Sequence, residues 1–181
     1  MKKVHLVLLA ILLLAASLPI LAQHQEELPK VEVFGGYSLL RSDGHNFNGW
    51  KTAVGFTLNR WAAIAVDGSG YYYSESTPHG KLRENEYSLT VGPHLSLRNK
   101  SKLVPFAYAM AGGAWENSSL GPESESGSGF AFETGGGVDW EISKAVSIRL
   151  IDVGASVTNI HGTTFTKPKF TTGIVFMFGH K

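Results

Sequence analysis

The chain contains no cysteine. A disulfide framework, a thiol nucleophile and a thiolate metal site are all excluded. No sign of charge dominates either, with 16 Lys and Arg against 15 Asp and Glu, so the composition does not point to nucleic acid. After residue 22 no run approaches the roughly 20 apolar residues of a spanning helix, and no sustained helical period is present. If that part of the chain crosses a membrane, it crosses as strands.

What is present begins with Met1-Lys2-Lys3, an apolar stretch from Val4 to about Ala16, and the break Ser17-Leu18-Pro19-Ile20-Leu21-Ala22 before polar Gln23-His24-Gln25-Glu26. This order of basic, apolar and small-residue segments predicts a secretory signal peptide, residues 1–22, cleaved after Ala22. Removing 22 of 181 residues leaves 159, the size of one domain. Residues 23–29 are polar and without periodicity and read as a flexible lead. Residues 30–181 form the predicted domain.

From Lys30 onward the chain alternates with period two in segments separated by Gly, Asn, Asp, Ser and Pro clusters. In 130–142 one parity carries Phe130, Phe132, Val138, Trp140 and Ile142, and the other Ala131, Glu133, Gly135, Gly137, Asp139 and Glu141. In 86–98 Tyr87, Leu89, Val91, Pro93, Leu95 and Leu97 alternate with Ser88, Thr90, Gly92, His94, Ser96 and Arg98, and Trp50, Val54, Phe56 and Leu58 alternate with Lys51, Ala53 and Gly55. Five less regular segments, 31–40, 62–73, 104–115, 145–158 and 169–178, bring the strands to eight. Arg149 and Asp152 fall on opposite parities, so either one of them faces lipid near a strand end or, the simpler repair, a bulge lies between them. Short connections at 58–61, 98–103 and 143–144 alternate with longer polar loops at 41–49, 74–85, 116–128 and 159–168. An apolar face for lipid, a polar interior and short turns alternating with long loops are the pattern of a bacterial outer-membrane barrel. Trp50, Trp61, Trp115 and Trp140 all fall near strand ends, where aromatic girdles sit, although Trp61 and Trp115 lie off the expected apolar parity.

The sequence resembles the OmpA-like eight-stranded outer-membrane β-barrel family over roughly 30–178. The resemblance is carried by Val33-Phe34-Gly35-Gly36-Tyr37-Ser38, Gly135-Gly136-Gly137-Val138-Asp139, Ser147-Ile148-Arg149-Leu150-Ile151-Asp152 and the alternating last strand ending in Phe178. It implies an integral outer-membrane protein whose C-terminal strand is read by the outer-membrane assembly machinery, with no peptidoglycan-binding domain expected after it.

Three constellations have a functional reading. His45, His79 and His161 fall in three loops on one side and would bind zinc or copper if the loops converged; solvated loop histidines are the simpler reading, and no metal or cofactor is expected. Glu32, Lys51, Asp67, His94, Glu133, Asp139, Glu141 and Arg149 are assigned to the interior, as a polar passage or, since eight strands leave room for little beyond side chains, as a salt-bridged plug. Ser74, Ser76, His79 and Glu84 contain the elements of a serine-histidine-acid set without a nucleophile elbow, so no catalytic residue is assigned. The expected fold is all-β, an eight-stranded antiparallel up-and-down transmembrane barrel. Its expected role is structural or loop-mediated, with outer-membrane lipid and the assembly machinery as partners, no nucleic acid, and an extracellular partner that the residues do not identify. The alternatives are a soluble periplasmic ligand-binding barrel, with the apolar parity turned inward, and a narrow pore for water or small ions.

Overall fold

The computed structural model describes residues 28–179 except 43, 79, 100, 122 and 161. The predicted signal peptide and residues 23–27 of the predicted lead lie outside the described residues. Eight strands follow in chain order: β1 (Val31–Ser42), β2 (His45–Thr57), β3 (Ala62–Thr77), β4 (Gly80–Ser96), β5 (Leu103–Leu120), β6 (Glu123–Ser143), β7 (Val146–Ile160) and β8 (Thr163–Phe178). Each pairs antiparallel with the next, and β8 closes on β1 from Val31 opposite Phe178 to Leu40 opposite Lys169. The result is the predicted up-and-down barrel, and closure leaves no sheet edge along its wall.

The alternation sorts the side chains as expected in β2, β4 and β6. Phe56, Leu89, Val91, Leu95, Phe130, Trp140 and Ile142 lie on the exterior, while Lys51, Thr90, Glu133 and Asp139 are buried inside, as is Asp67 of β3. The predicted bulge is present: the register of β7 shifts between Arg149 and Asp152. Leu150 and Ile151 both point out, and Arg149 and Asp152 both point in. In β5 the expected parity is corrected. Val104, Phe106, Tyr108 and Met110 face the interior, where Phe106, Tyr108 and Met110 pack with Ala65, and the outward face carries Pro105, Ala107, Ala109 and Ala111. Trp115 therefore points out with the other three tryptophans, all 43–48% exposed.

The four long loops are also corrected. Segments 41–49, 74–85, 116–128 and 159–168 are almost wholly strand, and only two residues separate β1 from β2, β3 from β4, β5 from β6, and β7 from β8. Gly44 (φ 83°), Gly80 (φ 128°), Gly121 (φ 61°) and Gly162 (φ 80°) mark these hairpin ends with the left-handed conformation that tight β-turns require. Ribbon wet on both faces carries no apolar alternation, so its strands read as loops. The connections at the other rim, 58–61, 97–102 and 144–145, fall near the predicted turns.

The hairpins end at different heights. Pairing of β2 with β3 stops at Asn48 opposite Tyr72, and pairing of β6 with β7 at Gly129 opposite Ile160. The ladders between β3, β4, β5 and β6 continue to their turns. A four-stranded sheet therefore protrudes from the upper rim, while the two ends of the described chain lie at the lower.

Glycine lets neighbouring backbones approach closely within the wall. A Cβ on Gly36 would lie 2.2 Å from the carbonyl oxygen of Thr172, whereas one on its outward neighbour Gly35 would meet nothing within 4 Å. Gly36→Ala is expected to destabilise the fold by about 1–3 kcal/mol through overpacking, with Gly35→Ala close to neutral. Urea midpoints of the two variants check the contrast.

Candidate functional site

The interior is a stack of ion pairs, because inward positions of all eight strands converge where water is scarce and an unpaired charge is costly. Lowest, Arg98 reaches Glu141 at 2.8 Å and also pairs with Glu32. Above it Arg149 grips Asp139 with two bonds, Nε to Oδ1 at 2.8 Å and Nη2 to Oδ2 at 3.0 Å. Its guanidinium lies over the rings of Phe106 (4.0 Å) and Phe34 (4.3 Å). The bulge makes this possible by turning Arg149 inward beside Asp152.

At mid-height Lys51 sits 2.9 Å from Asp67 and 3.5 Å from Asp152, and donates to the Tyr108 hydroxyl at 3.3 Å, which in turn donates to Asp152 at 3.0 Å. Next, Lys169 pairs with Glu133, whose other oxygen accepts from Ser88 at 2.9 Å, and Ser88 bonds Ser69 at 2.7 Å. Both members of the Lys169–Glu133 pair are 1% exposed. Uppermost, Lys167 bridges Glu86 at 2.6 Å and Glu116 at 2.8 Å.

The eight residues assigned inward from the sequence thus all line the interior. Reading the β8 alternation further would have added Lys167 and Lys169, since both share the parity of Val175 and Met177 and oppose that of Phe170, Ile174 and Phe176. Glu86 and Asp152 were not assigned inward, although Glu86 shares the parity of Ser88 and Thr90 and the expected bulge turns Asp152 to the same side as Arg149. His94 stacks on Phe106 with centroids 5.2 Å apart.

Between the charged tiers little space remains. A gap lined by Phe34, Lys51, Asp67, His94, Tyr108 and Arg149 measures about 30 Å³, and one near Arg98 about 10 Å³. Such volumes hold a water or two. The exterior, by contrast, displays Phe56 (51% exposed), Val91 (51%) and Phe176 (45%). This is the inverse of the arrangement that a ligand-binding barrel with these residues around a cavity requires.

A space of about 190 Å³ opens at the upper mouth between Phe47, Phe165, Glu84, Glu86, Glu116 and Lys167. On its rim Tyr73 donates to Glu75 Oε2 at 2.6 Å and lies 2.8 Å from His45 Nδ1. Of the three loop histidines, His45 is engaged in this way, and His79 and His161 lie outside the described residues. Among the described residues no group of three or more His, Asp and Glu is arranged to hold a metal. Ser74 and Ser76 alternate outward along β3, on the opposite parity to Asp67, Ser69 and Tyr71, while Glu84 lines the mouth.

No protein-family model matches the chain, and no curated protein matches its sequence. Solved structures share its fold. Ail, the attachment invasion locus protein of Yersinia pestis, is similar with a TM-score of 0.58 and 17% identity, over 85% of this chain and 100% of that one. Neisserial surface protein A gives 0.60 and 16%, over 82% and 96%. The N-terminal β-barrel domain of Pseudomonas aeruginosa OprF gives 0.51 and 13%, over 84% and 100%. The fold is that of the eight-stranded outer-membrane barrels, as the sequence resemblance implied.

Proposed function

We propose that this eight-stranded barrel is an integral protein of the bacterial outer membrane, exported by its cleaved leader and serving as a closed anchor that holds a rigid β-sheet above the outer surface. The observation that carries the reading is the sorting of side chains: apolar and aromatic residues outside, ion pairs inside. A closed ladder satisfies its own backbone hydrogen bonds, as hydrocarbon demands, and the exterior belt runs between Tyr37, Trp50, Tyr72, Tyr87 and Trp115 above and Trp61 and Trp140 below. The lower rim, where β1 begins and β8 ends, faces the periplasm, and β8 is the strand that the assembly machinery reads.

The filled interior favours an anchor over a pore. Each of Lys51, Arg98, Arg149, Lys167 and Lys169 is held by at least one carboxylate, so an ion entering would have to displace a paired charge. The expected result is a protein in the outer-membrane fraction that migrates differently with and without boiling, has the mass of a chain beginning at Gln23, and is silent in planar bilayers. Steady conductance would replace the plug with the narrow pore. A soluble periplasmic product without a heat shift would overturn the anchor itself.

A further inference from the structure

The protruding sheet has an unpaired side. Residues 123–128 of β6 pair with β5, from Leu120 opposite Glu123 to Trp115 opposite Ser128. Pairing with β7 begins only at Gly129, so among the described residues no strand lies on the other side. Backbone parity shows which groups are open. The Glu141 amide donates to the Lys102 carbonyl of the β5 side, and the β5–β6 register runs without a shift from Trp140 to Glu123. Odd-numbered residues of β6 therefore bond toward β5, and Ser124 and Ser126 aim their N–H and C=O groups outward.

Natural edges are commonly blunted by Lys, Pro or a bulge. This one, Glu123-Ser124-Glu125-Ser126-Gly127-Ser128, has none of these, and it is backed by three paired strands. Its protection is of another kind. Glu123 and Glu125 share the inward parity of buried Ala131 and Glu133 and lie on one face with Glu75, Glu84 and Glu116, whereas Ser124, Ser126 and Ser128 share the other. A second copy of this edge would set carboxylates against carboxylates, and like charges directly opposite are unfavourable.

We infer that the β6 edge of the protruding sheet, Glu123 to Ser128, is a docking site for an extended basic peptide segment that adds a fifth strand, with Lys or Arg at alternate positions facing Glu123 and Glu125. The main chain supplies affinity and the alternation supplies selection, as in strand addition generally. The carboxylates that deter self-pairing choose the partner. This inference rests on the sheet standing above the membrane, as proposed for the barrel.

The test uses the full mature chain folded in phosphatidylcholine nanodiscs and a fluorescein-labelled peptide of alternating Lys and Thr, read by anisotropy. Saturable binding is expected, with slowed amide exchange at Ser124 and Ser126. A Glu/Thr peptide of the same length should not bind, and a peptide with its lysines in one block should bind more weakly. Ser126→Pro removes an amide that points away from β5, a position where an edge strand tolerates proline. It should weaken binding about tenfold by losing a bond and obstructing the added strand. The E123K/E125K double variant, independent of any proline effect on folding, should reverse the preference toward the Glu/Thr peptide. Equal binding of blocked and alternating lysines, an unaffected S126P variant, an unchanged preference in the double variant, or self-association in place of peptide binding would each overturn the inference. A chain that keeps its heat shift and binds no Lys/Thr peptide refutes the docking site alone, whereas a chain that never enters the nanodisc refutes the anchor beneath it.

Discussion

Lys169→Met is expected to cost the barrel about 3–5 kcal/mol, the range for removing one partner of a buried ion pair. Glu133 would keep its bond from Ser88 but lose the cation against which it is packed, at a site 1% exposed on both sides. The size of the loss comes from the abandoned carboxylate more than from the bond itself. For that reason the double variant K169M/E133Q should recover most of the stability, since a neutral amide can still accept from Ser88 and needs no counterion. Urea unfolding of the three proteins in lipid vesicles measures both quantities. A double variant no more stable than K169M would show that packing, and not charge balance, holds this tier together.

Val91→Arg is the second large expected effect, about 2–4 kcal/mol, because it places a charge near the midplane of the lipid-facing surface, while Leu97→Arg near the lower rim should cost about 0–1 kcal/mol. Val91 in β4 and Leu97, the first residue after that strand, share one parity and are exposed to nearly the same degree, 51% and 49%. Solvent exposure of the free barrel therefore does not distinguish them, and depth in a bilayer does. The same unfolding measurement should give the contrast in vesicles. Equal costs at both positions would remove the bilayer from the explanation.

Legibility in the sequence followed the contrast between the two sides of the wall. Where outward-facing and interior residues differ most in polarity, as from Phe130 to Ile142, the alternation alone assigned every inward charge. In β5 the rule reversed, because Phe106 and Tyr108 pack around the guanidinium of Arg149 and the ammonium of Lys51. Large aromatics serve as interior filler there, leaving alanines outside, so hydrophobicity was a poor guide to direction. Above the rim both faces of the ribbon are wet and polarity carries no period, which made the upper halves of the hairpins read as loops. Asp43-Gly44 was the available signal, a pair favoured in two-residue hairpins. The tiers of the plug were legible as a set of inward charges, but their pairing was not. Register between distant strands decides that Lys167 meets Glu86 and Glu116, and a single bulge decides that Arg149 and Asp152 face the same way.

The seam between β1 and β8 joins residues 31–40 to residues 169–178, the two ends of the described chain. Every other ladder in the wall is a local hairpin that can zip from its turn, whereas this one must wait for the remainder of the wall and bear the loop-closure entropy of nearly the whole domain. Until it forms, β1 and β8 are both bare edges and the charged tiers are open to water, so Lys169 and Glu133 are desolvated only at the final step. Assembly is thereby all-or-none at its end. A lesion anywhere along the last ten residues of β8 should leave an open, edge-exposed sheet prone to aggregation, not a slightly weakened barrel.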